Sequence, residues 1–280
     1  MSDIRTAGMT EDEFVEMMKS AGMPNAGKVA GVSRTVVSSL AQAQVPQQNA
    51  STAVFFTGDG SYSMLGNRTL FVEAYNEFFL RGMLESAVPG SILTALAFFN
   101  DSNYRLDPSD PNFQEPLHVV HAPTLLELAP KLTEAQYDIK GWNSETPLSD
   151  AISSNGNMAV AYSEKMLLKG KGVRVIEIYF SDGIENASRR ILAPEDLAPD
   201  LLRKRELGGY TQVFIGFGNN KAMFTNYALR AGFPERNIMV VPNAGNMDDS
   251  RKQLRRIMDI VSKQTVAASK GISDPNSFFE

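Results

Sequence analysis

Residues 52–63 read Thr-Ala-Val-Phe-Phe-Thr-Gly-Asp-Gly-Ser-Tyr-Ser, and this stretch decides how the rest of the chain is read. Thr52 to Thr57 form a short continuous run rich in β-branched and aromatic side chains, the pattern of a strand covered on both faces. Gly58 and Gly60 break the run. Asp59, Ser61 and Ser63 then place one carboxylate and two hydroxyls at alternate positions of the connection that follows.

Five further apolar runs lie outward from this one, at 91–99, 116–121, 173–180, 211–217 and 237–242. Between and after them, helical patterns occupy 69–87, 124–138, 147–169, 194–207, 220–231 and 249–266. Strands alternating with helices require right-handed crossovers, so the expected fold is α/β: a Rossmann-like open, mostly parallel sheet wrapped by helices on both faces. Such sheets bind ligands outside the carboxyl ends of their strands, where neighbouring crossovers leave in opposite directions. The loops at 58–68, 100–115, 139–147, 181–188 and 218–220 are therefore the ones to search.

Two of those loops add oxygen donors to the first. The run at 173–180 ends in Ser181-Asp182-Gly183, which brings a second carboxylate to the same edge. Trp142-Asn-Ser-Glu-Thr-Pro-Leu148 enters a helix with the Thr146 hydroxyl at its start. Two carboxylates and three hydroxyls, with neither imidazole nor thiolate, make a hard-oxygen set suited to a small divalent cation rather than to zinc or copper. Converging carboxylates repel each other, and a dication removes that cost.

Taken in order, Asp59-Gly-Ser-Tyr-Ser63, Glu145-Thr-Pro-Leu-Ser-Asp-Ala-Ile152 and Tyr179-Phe-Ser-Asp-Gly183 closely resemble the metal-ion-dependent adhesion site of the von Willebrand factor type A domain. The resemblance covers residues 52–266. It implies a domain over 51–268; the residues on either side read as a helical arm and linker at 1–50 and a flexible tail at 269–280. It also implies that Ser61 and Ser63 ligate magnesium (or manganese or calcium) through Oγ, and that Asp59 binds mostly through water. Thr146 would bind directly or through water, and Asp182 through water or from behind it. The vacant coordination position is filled in that family by an Asp or Glu of a partner protein. Two positions depart from the family pattern: Tyr62 and Glu145 stand where small residues are usual, and both become candidates for the rim that meets the partner.

The remaining features narrow the function classes. A net charge of −5, from 27 basic and 32 acidic residues, argues against general attraction to nucleic acid or anionic lipid. Cysteine is absent, which suits a reducing compartment. The N-terminal Met1-to-Phe14 stretch lacks the pattern of a secretory signal, and no run is long enough to span a membrane, so a soluble cytoplasmic protein is expected. Gly22 to Lys28 imitates a phosphate loop but follows a helical segment and lacks the Ser/Thr that would hold magnesium. Residues 28–40 resemble half of a helix-turn-helix with too little chain around them to complete it. Gly216 to Lys221 lacks the third glycine of a dinucleotide fingerprint. His118 and His121, the only histidines, fall on opposite faces of a short strand. Arg251, Lys252, Arg255 and Arg256 form a basic stripe opposite Leu254, Ile257, Met258 and Val261, read as a solvated face. The expected function is a protein-interaction module that uses its cation to capture a partner's carboxylate. The rival classes are a magnesium-dependent hydrolase or phosphoryl-transfer enzyme, for which Glu145 and Asp101 are the only candidate bases, and a structural subunit whose metal site is unused.

Overall fold

The computed structural model describes residues 50–101, 116–137, 145–168, 170–183, 185–243, 246–272, 274 and 276–279. The arm read over 1–50, with its phosphate-loop imitation and its helix-turn-helix resemblance, lies outside these residues apart from Ala50. So do Trp142, Asn143, Ser144 and most of the 100–115 loop.

The described strands are β1 (Ala50–Asp59), β2 (Ile92–Phe99), β3 (Leu117–Leu125), β4 (Gly172–Ser181), β5 (Tyr210–Phe217) and β6 (Ile238–Val241). They form one sheet in the order β3-β2-β1-β4-β5-β6, parallel throughout except between β2 and β3. The main helices are α1, α2 (Glu134–Tyr137), α3 (Leu148–Leu168), α4 (Ala198–Leu207), α5 (Lys221–Arg230) and α6 (Met247–Ser269). Helix α1 joins an α segment (Arg68–Ala74), a π segment (Tyr75–Leu80) and a second α segment (Arg81–Ser86).

Alternation along the strands feeds two cores. Val54, Phe56, Ile176, Ile178 and Phe180 face α1 and α6, whereas Ala53, Phe55, Val175 and Tyr179 face α3, α4 and α5. The π segment widens α1, and Phe71, Tyr75 and Phe79, spaced by four, all pack on Phe56 with ring centroids 5.2–6.0 Å away. On α6, Leu254, Ile257, Met258 and Val261 are fully buried, as their spacing predicts.

The basic stripe on α6 is only partly a solvated face. Arg251 and Arg255 both pair with Glu73 of α1, and the Arg255 guanidinium lies 5.4 Å from the centre of the Phe78 ring. The pairs are partly exposed, so Glu73→Ala is expected to cost about 0.5–1 kcal/mol in urea denaturation. A loss well above that would mean that Glu73 carries more of the α1–α6 contact than charge pairing provides.

Two expectations need correction. The helix read over 124–138 is mostly absent: β3 continues to Leu125, a 3-10 turn occupies Leu126–Leu128, and only Glu134–Tyr137 is helical. The cause is proline. Pro123 and Pro130 disfavour helix at the residues before them, and Ala129 is accordingly extended. Pro123 is tolerated because β3 is an edge strand, where a missing N–H can face outward. The strand also runs antiparallel to β2, since the 100–115 connection carries no helical pattern to form a crossover. The second correction concerns the tail. Phe278 is fully buried, its N–H donates to Asn237 Oδ1 at 2.7 Å, and the Phe279 N–H donates to the Arg236 carbonyl at 3.2 Å. Burying an aromatic ring offsets the entropy lost in ordering this segment.

No helix among the described residues is long and apolar enough to cross a membrane.

Candidate metal centre

Gly58 lies opposite Phe180 in the β1–β4 register, so Asp59 and Ser181 emerge side by side at the carboxyl edge of the sheet. The chain leaving β1 goes to α1 on one face, and the chain leaving β4 goes to α4 on the other. This is the switch point of the sheet.

Asp59 is fully buried, so its carboxylate must be satisfied from within. Oδ1 accepts the Ser61 N–H at 2.8 Å and Oδ2 accepts the Ser181 hydroxyl at 2.5 Å. The Ser61 and Ser63 hydroxyls lie 3.1 Å apart, and Ser63 Oγ donates to Asp182 Oδ1 at 2.6 Å. Thr146 is buried at the entry to α3. A Cβ built on Gly183 would lie 2.7 Å from Thr146 Oγ1 and 3.5 Å from Asp59 Oδ2, so the absence of a side chain there lets these two donors approach the same loop. The five residues singled out as ligands therefore meet in one place, four of them through a continuous chain of hydrogen bonds. Tyr62, 61% exposed, and the exposed Glu145 stand at the rim. The Glu145 N–H donates to Asp101 Oδ1 at 2.9 Å, which ties two loops of the rim together.

Sequence reasoning missed the supports behind these residues. The Tyr137 hydroxyl donates to the Asp59 carbonyl at 2.6 Å, and its ring packs against Phe98 with centroids 4.1 Å apart. Asn100 Nδ2 donates to the Gly60 carbonyl at 3.1 Å, and the Gly60 N–H to the Phe99 carbonyl at 2.8 Å. Ser181 was read only as a neighbour of Asp182, although it supplies the direct hydroxyl partner of Asp59. The other loop read as a candidate, at 218–220, is a capped turn in which Asn220 Oδ1 accepts the Met223 N–H at 3.1 Å.

The two carboxyl groups are electrostatically frustrated. Burial holds the Asp59 carboxyl above the ordinary carboxylate range despite its hydrogen bonds. Burial, with the nearby Asp59 charge, pushes Asp182 up to about 7. Among the described residues no lysine or arginine pairs with either, and no group of three or more His, Asp or Glu assembles that could hold a metal without the hydroxyls. An all-oxygen set of hydroxyls and uncompensated carboxylates fits a hard divalent cation.

No family model matches the sequence, and no curated protein does. Solved structures do. The pilus adhesin SpaC from Lactobacillus rhamnosus GG aligns over 81% of this chain and 32% of its own, with a TM-score of 0.56 and 11% identity. Proximal thread matrix protein 1 from the mussel byssus, in a structure described as having a zinc-occupied MIDAS motif, aligns over 76% of this chain and 48% of its own, with a TM-score of 0.47 and 12% identity. A von Willebrand factor type A protein from Catenulispora acidiphila aligns over 78% and 43%, with a TM-score of 0.45 and 11% identity. This chain spans less than half the length of each. At 11% identity the likeness to the adhesin is one of fold alone, the Rossmann-like, mostly parallel α/β fold described above.

Proposed function

We propose that this chain is a cytoplasmic protein-interaction module that holds a divalent cation, magnesium first among the candidates, through Asp59, Ser61, Ser63, Thr146 and Asp182, and captures an acidic side chain of a partner protein. The observation that carries this reading is the convergence of a buried carboxyl, Asp59, and a partly buried one, Asp182, with no cationic partner among the described residues, on three hydroxyls at the switch point of the sheet. A bound cation would supply a Lewis-acidic centre that seeks a negative ligand. Ser61, Ser63 and Thr146 would contribute neutral oxygens, which leave most of the positive charge unneutralised. Ser181 and the Ser61 N–H hold the Asp59 carboxylate in place, and Tyr62 and Glu145 shape the approach. We read the site as non-catalytic: Asp101, one of the two candidate bases, spends a carboxylate oxygen on the Glu145 N–H, a contact that fixes the loop rather than a reacting group.

The test is calorimetric titration of the full chain with magnesium, manganese and calcium chlorides, beside the double variant Ser61→Ala/Ser63→Ala. Wild type is expected to bind, and the variant to lose binding while keeping its melting temperature in chelator. Equal binding by both proteins would remove these hydroxyls from the site. Affinity capture with and without chelator then asks whether a partner is held through the metal.

A further inference from the structure

Thr146 differs from the other candidate ligands in its support. Asp59, Ser61 and Ser63 share one connection after β1, and Asp182 directly follows β4, but Thr146 reaches the site from the entry of α3. Both of its main-chain polar groups are taken by one residue. Its N–H donates to Asn186 Oδ1 at 2.8 Å, and its carbonyl accepts the Asn186 N–H at 3.2 Å.

The flanking residues fasten the same loop to α3. Glu185 accepts the Ser149 N–H at 2.6 Å, and the Asp150 N–H donates to Ser188 Oγ at 3.0 Å, which satisfies two amides of the first turn of α3. Asp150 in return accepts the N–H groups of Arg189, Arg190 and Ile191 at 2.8, 3.1 and 2.8 Å. These contacts secure the helix entry as a whole. The Asn186 side chain instead takes the amide of Thr146 itself.

From this geometry we infer that Asn186 is a positioning residue: it fixes the backbone of Thr146, so that Oγ1 faces the site, and thereby sets the affinity of the centre for its cation. The inference rests on the metal-binding function proposed above. Asn is suited to the task because its amide oxygen accepts a hydrogen bond without adding a third negative charge beside Asp59 and Asp182. Without that acceptor the N–H of the buried Thr146 loses its protein partner, and the backbone there is no longer held to the loop by the Asn186 side chain. Loss of such an outer hydrogen bond to a ligating residue typically weakens metal binding about 10–100-fold.

The experiment compares wild type, Asn186→Leu and Asn186→Asp as full chains. It measures manganese affinity by calorimetry at a temperature where all are folded, melting in chelator, and amide hydrogen exchange of the metal-free proteins. Asn186→Leu is expected to lose about tenfold or more in affinity and to exchange the Thr146 amide faster, while the Ser61 amide is unchanged. Asn186→Asp, which keeps the acceptor but adds a charge, is expected to restore the slow exchange of the Thr146 amide. Asn186→Ala replaces the leucine variant if that fails to fold. Unchanged affinity in the leucine or alanine variant, with wild type binding normally, overturns the positioning role and leaves the metal site standing. A parallel loss of affinity and stability in the leucine or alanine variant, with the Thr146 amide exchanging no faster than in wild type, also overturns it. A wild-type protein that binds no divalent cation overturns the metal reading and this inference together.

Discussion

Lys204→Met is expected to lower the stability of the domain by about 3–5 kcal/mol. Lys204 on α4 reaches under α3 to Glu177 in the middle of β4, with Nζ 2.9 and 3.1 Å from the two carboxylate oxygens. Glu177 is fully buried and Lys204 almost so. The Tyr179 hydroxyl lies 2.9 Å from Glu177 Oε2 and 3.2 Å from the Ile152 carbonyl, so the network joins β4, α3 and α4. Removing the ammonium leaves a carboxylate in the core without its counter-charge, and most of the expected loss comes from that stranded charge. Replacing both partners, as in Glu177→Leu/Lys204→Met, should recover much of the loss, because two apolar side chains leave no charge to desolvate. Gly156 on α3 tests the same site sterically: a Cβ there would collide with Lys204 Nζ and displace it from Glu177. Gly156→Ala should therefore be costly alone and much less so combined with Lys204→Met. Urea denaturation of these four variants beside wild type decides. If Lys204→Met costs under about 1 kcal/mol, Glu177 is finding water or another donor and the pair is not closed as described.

That network shows why part of the molecule was hidden from the sequence. Continuous runs such as Thr52 to Thr57 and Val173 to Phe180 announced buried parallel strands because their information is local. The same holds for Asp59-x-Ser-x-Ser63, where one short connection carries three donors. Glu177 interrupts the apolar stretch from Val175 to Phe180, and nothing near it in sequence points to Lys204, 27 positions away. Asn186, Tyr137 and Asn100 support the site through side-chain hydrogen bonds from other segments, and such pairings have no sequence period. The misread helix at 124–138 had a local signal that carried too little weight, namely two prolines within eight residues. Phe278 and Phe279 were likewise an apolar pair too large to leave in water. The fold was legible because periodicity encodes it, and the meeting of Asp59, Ser61, Ser63, Thr146 and Asp182 at one sheet edge because motif order does. The second layer of contacts was not, because it is set by tertiary geometry alone.

Asp182→Asn is expected to stabilise the metal-free protein at neutral pH and to abolish its stabilisation by metal. In the native chain Asp182 holds its proton up to about pH 7, against a value of 3.8 when unhindered. Between those limits the folded state binds more protons than the unfolded state, so this group's contribution to stability is complete below about pH 4 and is lost as the pH rises towards 7. Each factor of ten in proton affinity is worth about 1.4 kcal/mol, so about three such factors at Asp182, discounted for solvent screening of this partly exposed group, put the loss at roughly 2–4 kcal/mol. Asparagine keeps an acceptor for the Ser63 hydroxyl and carries no charge to oppose Asp59. In chelator, Asp182→Asn should therefore exceed wild type in stability by roughly that amount at pH 8, and the difference should shrink towards zero near pH 4. His118 and His121, held by burial below the usual imidazole range, contribute a slope of opposite sign in both proteins and cancel in the comparison. With magnesium the order should reverse, because wild type gains a ligand for its two carboxylates and the variant does not. Melting both proteins from pH 4 to 8, with chelator and with magnesium, measures all of this. If the variant is the less stable protein at pH 8 in chelator, the carboxylates are not in conflict, and a cation has nothing to relieve. The expected pattern would mean that the domain gives up stability to keep two like charges together at the switch point, the trade expected where a site is shaped for a ligand rather than for folding.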